Sequence, residues 1–307
     1  QVTSGALPLL YLSSMADDAG IGAPDKLAEK VQGAIAQVLT RQTRTGGFGM
    51  WGAQNSNFWL DAYVTDFLSR ARRAGYAVPD VGFATAMDNL RNRIGYAPDF
   101  DLGGEDIAYA LLVLAREGAA SMGDLRYYAD TKADNFATPL SLAQLGAALA
   151  AYGDQKRADS MFAKAASRLG RSGDPLVWRD DYGSTLRDTA GLVTLAAEAG
   201  STAVNLDTLV STIGSTSRNF STQEAAQVVL AAHALTNSAA GAEVSVDGIP
   251  SAGPVVKRLT DADPQASVIR NTGQRAIDVT MTTFGVPDVA PEAGGYGYGL
   301  TRSYYTM

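Results

Sequence analysis

The chain has 307 residues, 46% hydrophobic and 19% charged, an ordinary globular balance with length enough for one large domain and a smaller one. Its 32 acidic residues against 25 basic ones leave a net charge of −7, and the basic residues are scattered, which argues against nucleic acid or an anionic membrane as a partner. With no cysteine and the single histidine His233, internal disulfides, zinc–thiolate sites, cysteine nucleophiles and multi-histidine metal centres are excluded.

The chain opens with Gln1-Val2-Thr3-Ser4-Gly5-Ala6-Leu7-Pro8-Leu9-Leu10-Tyr11-Leu12, an apolar helix that starts as if cut from the middle of something. A helix over Lys26 to Leu39 comes next, then the aromatic loop Gly46-Gly47-Phe48-Gly49-Met50-Trp51. Helices with an apolar, small-residue face are predicted from Asp61, Asp106, Ser141, Asp188 and Thr222, most of them closing near a glycine such as Gly75, Gly118, Gly153 or Gly200. Those starts are 45, 35, 47 and 34 residues apart, so a unit of about 40 residues recurs, the length of a helix pair. Second helices lie between them, at Phe83 to Arg93, Asp154 to Leu169 and Leu206 to Ile213. The fold class is therefore mainly α. Either an open solenoid or a closed α/α toroid of about six helix pairs fits. The aromatic loops at 46–51 and 178–182 favour the toroid, because they can cap the mouth of a ring.

After residue 239 the pattern changes to alternation. Ala242 to Ile249 reads as a strand entering a turn, and 267–273 with 276–285 as two strands around an Asn-Thr-Gly turn. The glycine-rich 294–299 leads into a last strand holding Tyr304 and Tyr305. Two domains are expected, a helical one over 1–238 and a partial β domain over 239–307 whose other strands lie outside the chain. No apolar run approaches the roughly 18 residues of a membrane span, and no leader segment is read.

Few residues suggest chemistry. His233 lies in Ala-Ala-His-Ala-Leu on an apolar helix and reads as a packed histidine, with no nucleophile at useful spacing. Asp17-Asp18 reads as a helix end and Glu105-Asp106 as an N-cap. Asp180-Asp181, flanked by Trp178 and Tyr182, is the acidic pair to keep, since paired carboxylates beside aromatic rings at a toroid mouth suit a glycosidase or lyase. Gly295-Tyr296-Gly297-Tyr298-Gly299 is succeeded by no helix, so it is no phosphate cradle. Phe48, Trp51, Phe58 and Trp59 read as core and loop packing rather than a ligand box.

Three segments, in order, carry a resemblance. The opening helix behind Gln1 is similar to the segment just C-terminal to the Cys-x-Glu-Gln thioester motif of the α2-macroglobulin and complement family. Ser56-Asn57-Phe58-Trp59-Leu60-Asp61-Ala62-Tyr63-Val64 is similar to the Trp-Leu-Thr-Ala-Tyr-Val stretch of thioester domains. The tail, with Asn271, Gly273, Phe284-Gly285-Val286-Pro287 and Arg302-Ser303-Tyr304-Tyr305, looks like the bacterial members rather than the animal ones.

The resemblance implies a thioester domain, an α/α toroid inserted into a CUB-type β-sandwich, belonging to a protease trap rather than an enzyme. It makes Gln1 the acyl half of a thioester whose cysteine would lie three residues upstream, outside this chain. It implies target endopeptidases as partners, no cofactor or metal, no catalytic residue, a monomer, and a periplasmic location with the parent protein lipid-anchored. The segment Arg93 to Gly104 holds no histidine of the kind that turns complement thioesters toward hydroxyls, so amine acceptors are expected. The alternatives are a toroid glycosidase or lyase using Asp180, Asp181 or Glu105, and a non-catalytic helical-repeat scaffold.

Overall fold

The computed structural model describes residues 1–12, 24–97, 99–170, 179, 181–238, 243–252 and 267–273. Among these, eleven helices and three short strands occur in sequence. Helix α1 is Val2–Ala6, α2 Pro24–Leu39, α3 Phe58–Arg73, α4 Asp80–Gly95, α5 Glu105–Arg116 and α6 Met122–Thr131. Then come α7 Pro139–Ala151, α8 Gln155–Arg168, α9 Thr185–Glu198, α10 Leu206–Gly214 and α11 Thr222–Ser238, and after them β1 Glu243–Val246, β2 Ile249–Ala252 and β3 Ile269–Asn271.

Side-chain caps start most of these helices. Asn57 Oδ1 accepts from Leu60 N at 3.1 Å ahead of α3, Thr138 Oγ1 from Ser141 N at 3.2 Å ahead of α7, and Ser184 Oγ from Arg187 N at 3.2 Å ahead of α9. Before α11 a reciprocal capping box forms, Glu224 N donating to Ser221 Oγ at 3.3 Å and Ser221 N to Glu224 Oε2 at 2.8 Å. Gly75, Gly118, Gly153 and Gly200, the expected stops, all have positive φ, 86°, 69°, 79° and 60°.

Three starts differ from the sequence reading. The cap of α5 is Gly104, at φ 74°, and Glu105 and Asp106 sit inside the first turn. A Cβ on Gly104 would lie 2.5 Å from the Phe100 ring, so this cap is chosen by close packing as well as by φ. Helix α6 was not expected at all, although Ser121, whose Oγ accepts from Asp124 N at 3.3 Å, marks its start. The opening helix breaks after Ala6 and helical backbone resumes at 9–12, because Pro8 has no N–H to return to Ser4.

The helices are arranged in two sets. Each odd-numbered helix contacts the next odd-numbered one, and α1 contacts both α3 and α11, while the even-numbered helices lie against the odd ones, α8 for instance against α7 and α9. Of the odd helices, α3, α5, α7 and α9 are buried nearly all round. In α5 every residue from Ile107 to Ala115 is buried, and in α9 every residue from Leu186 to Ala197. Gly191 lets α9 approach α7, since a Cβ there would come within 2.4 Å of Leu140. Phe67, Phe136 and Phe162 are among the largest fully enclosed side chains of the core.

Neighbouring odd helices run in the same direction. Tyr63 O–H donates to Ser4 Oγ at 3.0 Å near the starts of α3 and α1, and Arg70 Nη1 donates to Tyr11 Oη at 2.8 Å one end further on. Likewise Arg187 reaches Gln223 at the starts of α9 and α11, and Arg116 reaches Glu198 at the ends of α5 and α9. Helices α1, α3, α5, α9 and α11 thus begin toward one end of the helical body, its mouth.

The strands form one antiparallel sheet in the order β2-β1-β3. Asp247 and Gly248, with φ of 51° and 85°, make the two-residue hairpin turn between β1 and β2. β3 pairs with β1, Val246 opposite Ile269. The strand expected at 276–285, the glycine-rich 294–299 and Tyr304 and Tyr305 lie outside the described residues, as do Asp17 and Asp18.

Candidate functional site

The mouth is built from the first turns of α3, α5, α9 and α11 and the loop before α9. Asp181, expected as a possible catalytic carboxylate, is 2% exposed and fully engaged. Arg179 Nε donates to its Oδ1 at 3.0 Å and Nη2 to its Oδ2 at 2.7 Å, Gly183 N donates to Oδ1 at 3.0 Å, and Arg187 Nη2 donates to Oδ2. Arg179 also clamps Asp188, at 2.9 and 3.0 Å. Burial alone would raise the Asp181 pKa, but the Arg187 and Arg179 guanidiniums outweigh it and hold the carboxyl below its usual range. Such a carboxylate is neither a free base nor a proton donor. That removes Asp181 from the glycosidase alternative; Asp180 and Trp178 lie outside the described residues. Tyr182, at φ 53°, meets the Trp59 ring edge-on at 5.7 Å.

Glu105 is different. It makes no ion pair among the described residues, and burial, with Asp181 and Asp106 nearby, raises its pKa. It lines two cavities. One is an open cleft of about 820 Å³ between the first turns of α3 and α5 and the end of α4, where Trp59, Arg93, Tyr96 and Phe100 also face it. The other is a small cavity of about 30 Å³ on the axis of the odd helices. Trp59 and Asp181 line both. Of the aromatic residues expected to pack, Phe48 is 1% exposed and Trp59 7%, but Trp51 is 90% exposed at the tip of its loop.

At the far end a second ion cluster closes the body. Asp66 Oδ1 and Oδ2 accept from Arg70 Nε at 3.0 Å, Oδ1 also from Arg116 Nη1 at 3.1 Å, and Oδ2 from Tyr109 O–H at 2.9 Å. Burial opposes ionisation of Asp66, yet Arg70 and Arg116 prevail and lower its pKa. Burial raises the Tyr63 phenol to about 12, and it raises Tyr109 as well. His233 packs against Tyr11 with ring centroids 4.3 Å apart and the planes tilted by 38°, and burial lowers its pKa, in keeping with a packed histidine. Both clusters escaped the sequence reading. Their signal was present in Asp66 and Arg70, four apart on one helix, and in Arg187-Asp188 opening an apolar one.

Gln1 is exposed at the N-cap of α1, its carbonyl accepting from Gly5 N at 2.9 Å. The helix it opens is anchored by the Ser4–Tyr63 and Tyr11–Arg70 hydrogen bonds, at 3.0 and 2.8 Å. Gln1 therefore belongs to the mouth end. It does not line either cavity. No group of three or more metal-binding side chains occurs among the described residues.

No family model matches the chain. Over 311 residues it is 31% identical to the alpha-2-macroglobulin of Escherichia coli (strain K12), an alignment covering 95% of this chain and 19% of that protein. The fold is similar to the crystal structure of Salmonella alpha-2-macroglobulin reacted with methylamine, with a TM-score of 0.70 and 29% identity over 88% of this chain and 18% of that one. It is also similar to Escherichia coli alpha-2-macroglobulin activated by porcine elastase, with a TM-score of 0.68 and 30% identity over 82% of this chain and 24% of that one. The chain spans about a fifth of the length of the curated relative, 19%. Similarity of sequence and of fold along nearly the whole chain shows that it belongs to the bacterial alpha-2-macroglobulin family, as a counterpart of one segment of those proteins.

Proposed function

We propose that this chain is the thioester-bearing segment of a bacterial alpha-2-macroglobulin-like protease trap. The observation that carries the reading is the match along 95% of the chain to the Escherichia coli protein, together with a relative solved after reaction with methylamine and another after activation by elastase. The cycle of contacts among the odd helices, with α1 touching both α3 and α11, supports an α/α toroid over residues 1–238. The antiparallel β2-β1-β3 sheet supports the start of a CUB-like sandwich over 239–307.

In this reading Gln1 supplies the acyl group. The family motif would place a cysteine three residues before it, its sulfur bonded to the Gln1 side-chain carbonyl carbon. An amine of the attacking endopeptidase adds to that carbon, the C–S bond breaks, sulfur leaves as thiolate and the amine proton passes to it, leaving an amide. The anchoring of the helix behind Gln1 supports this, since the Ser4–Tyr63 and Tyr11–Arg70 hydrogen bonds fix the segment that carries it. In this reading the trap calls on no catalytic residue, cofactor or metal from this chain. The parent protein is a monomeric, broad-spectrum endopeptidase trap in the periplasm, lipid-anchored to the inner membrane.

The experiment is methylamine treatment of the full-length protein, with peptide mass spectrometry and thiol titration as readouts. A methylamide on Gln1 with release of one thiol is expected. An unmodified Gln1 and no new thiol under native conditions would overturn the thioester reading, leaving protease inhibition to be assayed by itself.

A further inference from the structure

The small cavity on the axis of the odd helices has more hydrogen-bonding capacity than the protein around it uses. Arg187 is 3% exposed, and both its terminal nitrogens are committed, Nη1 to the Asp181 carbonyl and to Gln223 Oε1 at 3.0 Å, Nη2 to the Asp181 carboxylate. Its Nε is buried and has no partner. Gln144, in the middle of the mostly apolar α7, is 5% exposed and lines the same cavity. Gln227 and Glu105 line it too, with Thr194 and the Asp66–Arg70 pair. An unsatisfied buried donor costs about 1–3 kcal/mol, so Arg187 Nε beside this void is not left unserved in a stable core.

The volume decides what serves them. About 30 Å³ admits two molecules of water size, given roughly 10–15 Å³ for each, and nothing organic. The orphan Nε is a donor and therefore calls for an acceptor. A bare anion is opposed by Glu105, Asp66 and Asp181 around the same void, and a bare cation by Arg187 and Arg70. Water answers every group at once, accepting from Arg187 Nε and the carboxamides while donating to Glu105 and the Gln144 and Gln227 carbonyls.

We infer that the axial cavity is a built hydration site, holding about two ordered water molecules that join Arg187 at the mouth to Gln144 and Gln227 in the core. This water is part of the core: it completes the hydrogen bonding of the arginine that neutralises Asp181, and so helps to hold the loop before α9 against α11.

The test uses the intact protein in two measurements. A high-resolution crystal structure is expected to show water density within hydrogen-bond distance of Arg187 Nε and of the Gln144 carboxamide. Water magnetic relaxation dispersion of wild type and Gln144→Leu is expected to show the loss of at least one long-lived water in the variant. Gln144→Leu keeps the volume nearly constant and leaves Arg187 in place, so the variant is expected to fold. A dry cavity, Arg187 Nε bonded directly to a protein group, or an unchanged long-lived water count would each overturn the inference.

Discussion

The two ends of the helical body use the same residue types to opposite effect. At the far end Asp66 and Glu198 face Arg70 and Arg116, two anions against two cations, and the Asp66 carboxylate is saturated. At the mouth Asp181 and Asp188 are matched by Arg179 and Arg187, but Glu105 is left over, and Arg187 keeps a donor unspent. Asp66 and Asp181, each held by two arginines, have lowered pKa values, whereas burial raises that of Glu105, and also that of Asp188 despite its Arg179 clamp. A fully matched cluster is a fastener. One with surplus polar capacity leaves room for a further hydrogen-bonding group, which on our inference is the axial water.

Breaking the fastener has the largest expected effect. Asp66→Ala would leave Arg70 and Arg116 buried without their shared anion, and a loss of about 3–5 kcal/mol in urea unfolding is expected. A loss under about 1 kcal/mol would mean that Glu198 alone satisfies both arginines. Gly191→Ala pushes a methyl into Leu140, where α9 meets α7, and is expected to cost about 1–3 kcal/mol while narrowing the axial cavity.

Ser121→Ala removes the cap of α6 and is expected to cost about 1 kcal/mol without touching either end. Because α6 lies on the outside of α7, protection of the α7 amides from hydrogen exchange should be nearly unchanged.

Acid sharpens the comparison further. The Arg218 hydrogen bond, with those from Ser184 and Ser221, lowers Glu224 to about 2. A depressed carboxyl stabilises the fold above its unfolded pKa and gives that up as pH falls, so the contact between the loop before α9 and α11 should weaken from about pH 4.5 toward pH 2. Glu105 runs the other way. Its raised pKa means that its charge opposes folding at neutral pH, and the opposition fades as pH falls through the folded value. Glu105→Gln is accordingly expected to raise stability slightly at pH 7, the smallest effect of the set. A loss instead would reveal a partner for that carboxylate.

Much of the helical body was legible in the residue pattern. The starts near 61, 106, 141, 188 and 222 fell within three residues of the observed helices at 58, 105, 139, 185 and 222, because apolar periodicity, capping residues and terminal glycines are local signals. Helix α6 was missed because its ten residues carry Arg126, Tyr127 and Asp130 on an exposed face and bury only Leu125 and Ala129, too narrow a stripe to stand out. The exposure of Trp51 was misjudged for a related reason: a tryptophan's size argues for burial, but the turns around it, not its own chemistry, set where it points.

The chain by itself determined the helical repeat, the change to strands after residue 239 and the family resemblance, since each is written in neighbouring residues. It also settled what chemistry is absent, through its lack of cysteine and its single histidine. Only the tertiary structure decided which charges meet. Asp66 and Arg116 are 50 residues apart and Arg116 and Glu198 82, and the pairings that distinguish the closed end from the mouth exist only where parallel helices bring them to one level. The same holds for the axial cavity, whose polar lining comes from α3, α5, α7, α9, α11 and the loop before α9 and which no local pattern announces.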